Sequence, residues 1–580
     1  MNNRLKKCSL PRRLMTGLTP LLLLGCSTVQ MAPGNAFAQS SVGSEGAVLS
    51  QEGMDSQLMF EIMISELAGR RGQLDIAMTG YLRASERTDD PRVSERATRL
   101  ATFGRQWEAA ELASTRWQVL DTDSIEAPQF LGQALLRQGK AEEAADQYIA
   151  ILEKSDNKEE TLREIQATVQ GASSADEIVN VMRRMQSAYP EIVEAHLAVA
   201  RALVQKGDNE SALIAADQAM ELDSNNTPAI LLKAETLMEL GRPDEGLYVV
   251  DKALEAYPDN QQVRLGYAQI LVEAGRFDAV STHLDKLFIS DNDNPVTLLA
   301  LSSLALDARR VDRARIYLGR LLEIGEYQDQ ANYYLARISD QQQNFLEAIN
   351  YYDAVVSGDL QLRSQIRVAE LLGLLGDVAN GRERLRDLAT TNQDPTLQAR
   401  IITAESRVLQ TAGRGAEAVI VLTDGLGRFP DNGDLLYARA LAADVVGDQG
   451  MLVSDLTKLI ELQPQNAHAL NALGYHLTDN NLDLERAETL LVTANKLLPN
   501  DPAIMDSLGW LFYRQGKLDQ AIELLSGAFK LYPDSEIAAH LGEALWLSGR
   551  VEEATQLIEE ALLSDPEDDK LLQVKRKYSE

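Results

Sequence analysis

The sequence predicts an all-α fold, a superhelical solenoid of helical hairpins, and three observations carry that prediction. Glycines recur on a fixed beat: Gly207, Gly241 and Gly275 are 34 residues apart, Gly413 and Gly447 are again 34 apart, and Gly139 precedes Gly207 by 68. Prolines keep the same time, with Pro430, Pro464, Pro499 and Pro533 separated by 34, 35 and 34 residues. Between these marks the apolar residues fall at helical spacing, as in Ser507 to Tyr513. Self-similarity at such a period signals stacked supersecondary units instead of one central core.

Residues 1–25 read as an export leader. Arg4, Lys6, Lys7, Arg12 and Arg13 form a basic start with no acid among them, and Leu14 to Leu24 is a short, mostly apolar stretch ending at Gly25. A bilayer span takes roughly 20 apolar residues, so this stretch is too short to be one. The chain holds two cysteines, Cys8 and Cys26. Cleavage before Cys26 discards Cys8 and leaves the mature chain one cysteine, at its own N-terminus. Leu23-Leu24-Gly25-Cys26 resembles the lipobox of bacterial lipoproteins. That resemblance implies a diacylglycerol on the Cys26 sulfur, cleavage before it and acylation of the new amino group. Ser27, standing where an aspartate would retain the protein, implies transfer to the outer membrane. Two other readings stay open: Ala36-Phe37-Ala38 as an ordinary cleavage site releasing a soluble periplasmic protein, and Arg12-Arg13 as a twin-arginine signal.

Residues 26–53 follow as the lipidated cysteine and a tether. The stretch is rich in Ser, Gly, Ala and Gln and has no apolar periodicity. A coil of that length reaches roughly 30 Å.

The solenoid is expected over residues 54–566. About fifteen hairpins are marked by turn glycines from Gly72 and Gly104 to Gly549, with Ser173, Arg309, Gln343 and Asn481 as their degenerate equivalents. The clearest copy is PNDPAIMDSLGWLFYRQGKLDQAIELLSGAFKLYP, residues 499–533. Gly509, Ala521 and Ala528 are small where two helices must touch. Gly516 frees the turn, and Pro533 stops the second helix. This copy resembles the tetratricopeptide repeat, a 34-residue helical hairpin. The likeness is strong over 190–280 and 430–566 and weaker over 290–400. Residues 567–580, with acids before Lys570 and the run Lys575-Arg576-Lys577 after, read as a C-terminal capping helix.

No catalytic constellation is evident. The five histidines are scattered, without the spacing of a metal site. GQALLRQGK at 132–140 imitates a phosphate loop, but Ala141 stands where a hydroxyl must hold magnesium. DNDNP at 291–295 lacks the glycine and glutamate of a calcium loop and reads as a turn before a helix. No cofactor or metal is expected. The formal net charge of −31 becomes −36 once the leader's five basic residues are removed, a field that repels nucleic acid and anionic lipid head groups, so attachment to a membrane is expected to come from acyl chains.

The resemblance implies that first helices of the hairpins line a concave groove for proteins or extended peptides. Mapped onto the clearer copies, the groove slots hold Tyr333, Arg337, Arg407, Tyr437, Tyr475, Trp510, Tyr513, Arg514 and Trp546. Rings and guanidinium groups carry much of the energy of interfaces, although packing within the stack explains each aromatic equally well. Lipobox, tether and a solenoid opening MFEIMISELAGRRGQLDIAMTGYLRASERTDDPRVSERATRLA (59–101) together resemble outer-membrane tetratricopeptide lipoproteins of Gram-negative bacteria. Those adaptors bind a periplasmic carboxy-terminal processing protease and deliver cell-wall hydrolases. The expectation is a non-catalytic adaptor at the periplasmic face of the outer membrane. Its alternatives are a lipoprotein assembling pili, outer-membrane proteins or exported polysaccharide, and an enzyme with an unrecognised site.

Overall fold

The computed structural model describes residues 56–170 and 174–579; the leader, Cys26, the tether and the turn at Ser173 lie outside the described residues. Every regular element among them is a helix. There are 31, numbered α1 to α31 in chain order, from α1 (Ser56–Arg70) to α31 (Asp569–Ser579). They divide into two units, one running to Arg320 and one starting at Leu321.

Local rules explain where each helix begins and ends. First helices of successive hairpins open on side-chain caps that keep the repeat's period: Asn226, Asn260 and Asn294 in the N-terminal unit, and Asn432, Asn466, Asp501 and Asp534 in the C-terminal unit. Each accepts a backbone N–H from the first turn, which stabilises a helix by about 1 kcal/mol. Asn294 is the cap inside DNDNP, which is a turn before a helix. The same first helices end on residues in the left-handed conformation. Gly516 has φ +75°, and the following Lys517 N–H donates to the Phe512 carbonyl at 2.9 Å, the six-to-one bond that closes such ends. Arg309, Gln343 and Asn481 take positive φ at the degenerate turns. At the second turn the left-handed residue is Arg105 (φ +54°), while Gly104 before it has φ −75°.

Within each unit, helices pack on their sequence neighbours. In the N-terminal unit α1 packs on α2 (Leu74–Arg87), and α9 (Val193–Lys206) on α10 (Asn209–Leu222). In the C-terminal unit α25 (Ala467–Asp479) packs on α26 (Leu484–Leu497), and α27 (Pro502–Arg514) on α28 (Leu518–Leu531); α27 also touches α25. The core is accordingly a succession of clusters, one from Leu131 to Ala216, others from Ile230 to Ile270 and from Ala399 to Leu511. Small residues set the closest approaches. A methyl group placed on Gly509 would lie 2.7 Å from the Leu525 Cγ, and Ala521 and Ala528 are fully buried.

Candidate protein-interaction surface

First helices of the C-terminal unit bring four of the expected residues together. Trp510, on α27, stacks on Tyr513 (ring centroids 4.7 Å apart, planes at 13°) and on His540 of α29 (Ser535–Leu547; 4.2 Å, 16°). The guanidinium carbon of Arg514 lies 5.8 Å from the centre of the Trp510 ring, within cation–π range. The ring of Tyr475, on α25, lies 6.4 Å from that of His540, centre to centre. Helical spacing places Trp510, Tyr513 and Arg514 on one stretch of surface, since residues three and four apart are neighbours.

A polar framework holds these rings. His540 Nδ1 lies 2.9 and 3.1 Å from the two carboxylate oxygens of Asp506, and both side chains are buried. The Tyr475 hydroxyl donates to Glu536 Oε1 at 2.7 Å, and Lys570 of α31 donates to the same oxygen. The Tyr513 hydroxyl donates to Glu543 Oε2 at 2.7 Å, which also accepts from Lys577 at 2.7 Å. Burial pushes the Tyr475 phenol far above its ordinary range, and the Glu536 carboxylate beside it pushes the same way. Burial alone would raise the Glu536 carboxyl as well, but Lys570 and the Tyr475 hydrogen bond overcome it and hold the group below its usual value. Trp510 is 7% exposed, and its Nε1–H is buried without an acceptor. The result is an aromatic cluster whose central ring is buried and whose tyrosines and arginine are partly exposed, with charges fixed at its edge.

The other expected residues lie elsewhere in the same unit. Tyr333 and Arg337 pair on α17 (Gln328–Gln341), the guanidinium carbon 6.0 Å from the ring centre, and Tyr333 meets Tyr334 and Tyr352 edge-on. Arg407, on α21 (Pro395–Thr411), belongs to an ion ladder: it donates to Glu370 at 2.9 Å, Glu370 accepts from Arg367 at 2.8 Å, and Arg367 forks onto Asp340 at 2.7 and 2.9 Å. Tyr437, on α23 (Gly433–Val446), is half-buried against the Ala399–Leu511 cluster. Trp546 packs on the cluster that α28, α29 and α30 (Val551–Ser564) share.

Asp506, His540, Glu536, Glu543 and Glu370 are participants that reading the sequence for aromatics and arginines passes over, and Arg367 is an arginine outside the slots that reading chose. A signal for some of them exists. Asp506 and His540, Glu536 and Lys570, and Glu543 and Lys577 are each 34 residues apart, one repeat, so each pair occupies one slot on neighbouring hairpins.

Comparison with known proteins agrees with this architecture. Profiles for the tetratricopeptide repeat match residues 237–304 and 512–578, and another profile of that repeat matches 299–361. The TPR repeat-containing protein PA4667 of Pseudomonas aeruginosa is 34% identical over 533 residues, covering 90% of this chain and 89% of that protein. The chain belongs to the tetratricopeptide repeat family. The repeat match at 299–361 places the family's signature inside the stretch where its glycines thin out. Bacteriophage adsorption protein A of Escherichia coli is 40% identical over 62 residues, 11% of this chain and 6% of that one. Among solved structures, yeast Tom70 shares 13% identity over 89% of this chain and 99% of its own, with a TM-score of 0.37. Tetratricopeptide repeats bind proteins and peptides, and the chain is a protein–protein interaction scaffold of that kind.

Proposed function

We propose that this scaffold is a lipid-anchored, non-catalytic adaptor at the periplasmic face of the outer membrane, recruiting a carboxy-terminal processing protease and its cell-wall hydrolase substrates. The observation that carries the binding half is the Tyr475–Trp510–Tyr513–Arg514 face, braced by buried Asp506 and His540. Aromatic and arginine anchors on a pre-set framework are what short apolar segments bind, because little side-chain freedom is lost on docking. The anchoring half is supported by Leu23-Leu24-Gly25-Cys26 after a basic leader. No helix among the described residues is long and apolar enough to cross a membrane, and acyl chains supply attachment without one. Holding protease and substrate on one surface raises their mutual concentration without a catalytic group on the scaffold. Among the described residues no three His, Cys, Asp or Glu side chains are grouped to hold a metal.

Co-purification from crosslinked envelopes tests the partner: a processing protease is expected, and recovery of a pilus or barrel-assembly complex without one overturns the reading. Cys26→Ala is expected to abolish labelling by a fatty-acid analogue and release the protein into the soluble periplasm; unchanged labelling refutes the anchor. Trp510→Ala is expected to weaken capture while the repeats still melt cooperatively, whereas collapse of the array makes that ring structural.

A further inference from the structure

The first helix, α1, is apolar on both faces. Its inner side sends Leu58 and Ile62 into the cluster built on Tyr81, Ala84 and Val93. Its outer side leaves Met59, Phe60, Met63, Ile64 and Leu67 between 38% and 60% exposed, and Ile76 of α2 continues the patch at 50%. Phe60, Ile64 and Ile76 line a groove between the two helices together with Glu61, Asp75, Gly80 and Arg83. A helix apolar all round is ordinarily buried all round, and the terminal unit of a repeat array ordinarily turns a polar face outward.

The charges choose the occupant. The two acids of α1 are already paired: Glu61, which lines the groove beside Phe60 and Ile64, lies 3.5 Å from Arg87, while Glu66 accepts from Tyr81 and lies 3.5 Å from Arg96. The α1 strip ends at two exposed arginines, Arg70 and Arg71, while the exposed Asp75 of α2 stands beside Ile76 at the groove. Apolar side chains flanked by arginine are the pattern of helices that lie in the headgroup region of a phospholipid bilayer. With 15 residues, α1 is about 22 Å long, too short to span roughly 30 Å of hydrocarbon but suited to lying along its surface. Six half-exposed side chains amount to a few hundred Å², short of the roughly 800 Å² per partner of a standard protein complex. In sequence Cys26 is 30 residues before Ser56, and a coil of that length reaches roughly 30 Å.

We infer that the outer face of α1 docks on an anionic phospholipid surface, a second membrane contact beyond any acyl chain on Cys26. The tether step rests on the anchoring proposed above; the apolar strip and its arginines do not. On a chain of net charge −31, the docking depends on screening of the remaining acids, which limits their reach to about 8 Å at physiological salt.

The test uses the mature chain with Cys26→Ser, so that acylation plays no part and failure of the anchor reading cannot be mistaken for failure of this one. Cosedimentation with vesicles of phosphatidylethanolamine and phosphatidylglycerol is expected to recover the protein. Phe60→Glu with Met63→Glu is expected to weaken recovery at least about tenfold, and Arg70→Gln with Arg71→Gln to weaken it several-fold. Phe60→Trp is expected to add a fluorescence component that shifts to the blue on vesicle addition, a readout independent of the charge variants' folding. No recovery, recovery indifferent to the glutamates, or a homodimer lost with the same glutamates while vesicles go unbound overturns the proposal.

Discussion

Both α1 and α31 are terminal helices, and they dispose of their outer faces in opposite ways. The C-terminal helix buries Leu571 and Val574 against Ala538, Ala539 and Ile558 and presents Lys570, Lys575, Arg576 and Lys577 outward. Two of those lysines do structural service, reaching back to Glu536 and Glu543 beneath the tyrosines of the aromatic face. Among the described residues, α1 makes no such return and its apolar strip is exposed. In a stack each unit contacts only its neighbours, so the outer face of a terminal helix is free of folding constraints and its chemistry reports what it meets. One end meets water; the other is built for something less polar.

Removing α31 is the largest perturbation of that contrast. A chain ending at Asp568 loses the burial of Leu571 and Val574, about 3 kcal/mol together, and both lysine returns. Faster amide exchange is expected throughout α29 and α30, with α25 and α26 little changed, because coupling in a repeat array decays over a neighbour or two. Uniform loss of protection across the C-terminal unit would show instead that this unit unfolds as one block.

Asp506→Ala is next. It leaves His540 buried with its Nδ1 unpaired, which costs about 1–3 kcal/mol. Chemical denaturation followed at the Trp510 ring should report that loss, and Asp506→Asn should recover part of it by supplying an acceptor.

How far such features were legible depended on what fixed them. The 34-residue beat of Gly207, Gly241 and Gly275 was readable because a left-handed backbone strongly favours glycine. Asn226, Asn260 and Asn294 keep the same beat as helix caps, yet asparagine serves so many turns that the period hides in plain composition. Gly104 and Arg105 show the limit of the glycine rule: once the neighbouring contacts fix a turn, an arginine can take φ +54° at modest cost. Part of the irregularity near 290–400 has a local cause, since α21 runs to 17 residues and stretches the interval from Gly376 to Gly413 to 37. For the same reason Arg407 meets Glu370 across 37 residues and not 34, a partner that no fixed period points to. Trp510, Tyr513 and Arg514 were identifiable as a group from their helical spacing, whereas the Asp506–His540 pair required knowing which slot of one repeat faces the next.

Acid sharpens the comparison between the two units. In the N-terminal unit, burial with help from Arg264 and Lys286 pushes the His283 imidazole down to about 4 from its ordinary 6.5. Its native form therefore holds fewer protons than the unfolded chain below pH 6.5, and stability is lost as pH falls through that interval toward 4. In the C-terminal unit, Glu536 sits below its ordinary 4.5, so the stability it contributes persists above that value and fades only beneath it. The helix bearing His283, α14 (Phe277–Ser290), should lose exchange protection at milder acidity than α29 does. His283→Gln should remove much of the earlier loss, and an unchanged profile would assign it to other groups.

The smallest expected effect belongs to the strip on α1. Phe60→Ser and Met63→Ser remove side chains 60% and 57% exposed, which contribute little to the Tyr81–Val93 cluster underneath. The pair should therefore change the denaturation midpoint of the unacylated chain by no more than about 0.5 kcal/mol, the range of ordinary surface substitutions. Ile62→Ser, two residues away but turned inward, should cost several times as much. If the two substitutions instead melt the first hairpin, the outer face of α1 is held by the chain's own packing, and the contrast with α31 disappears. If they leave stability intact while vesicle binding falls, an apolar surface that folding does not require is retained for the membrane it touches.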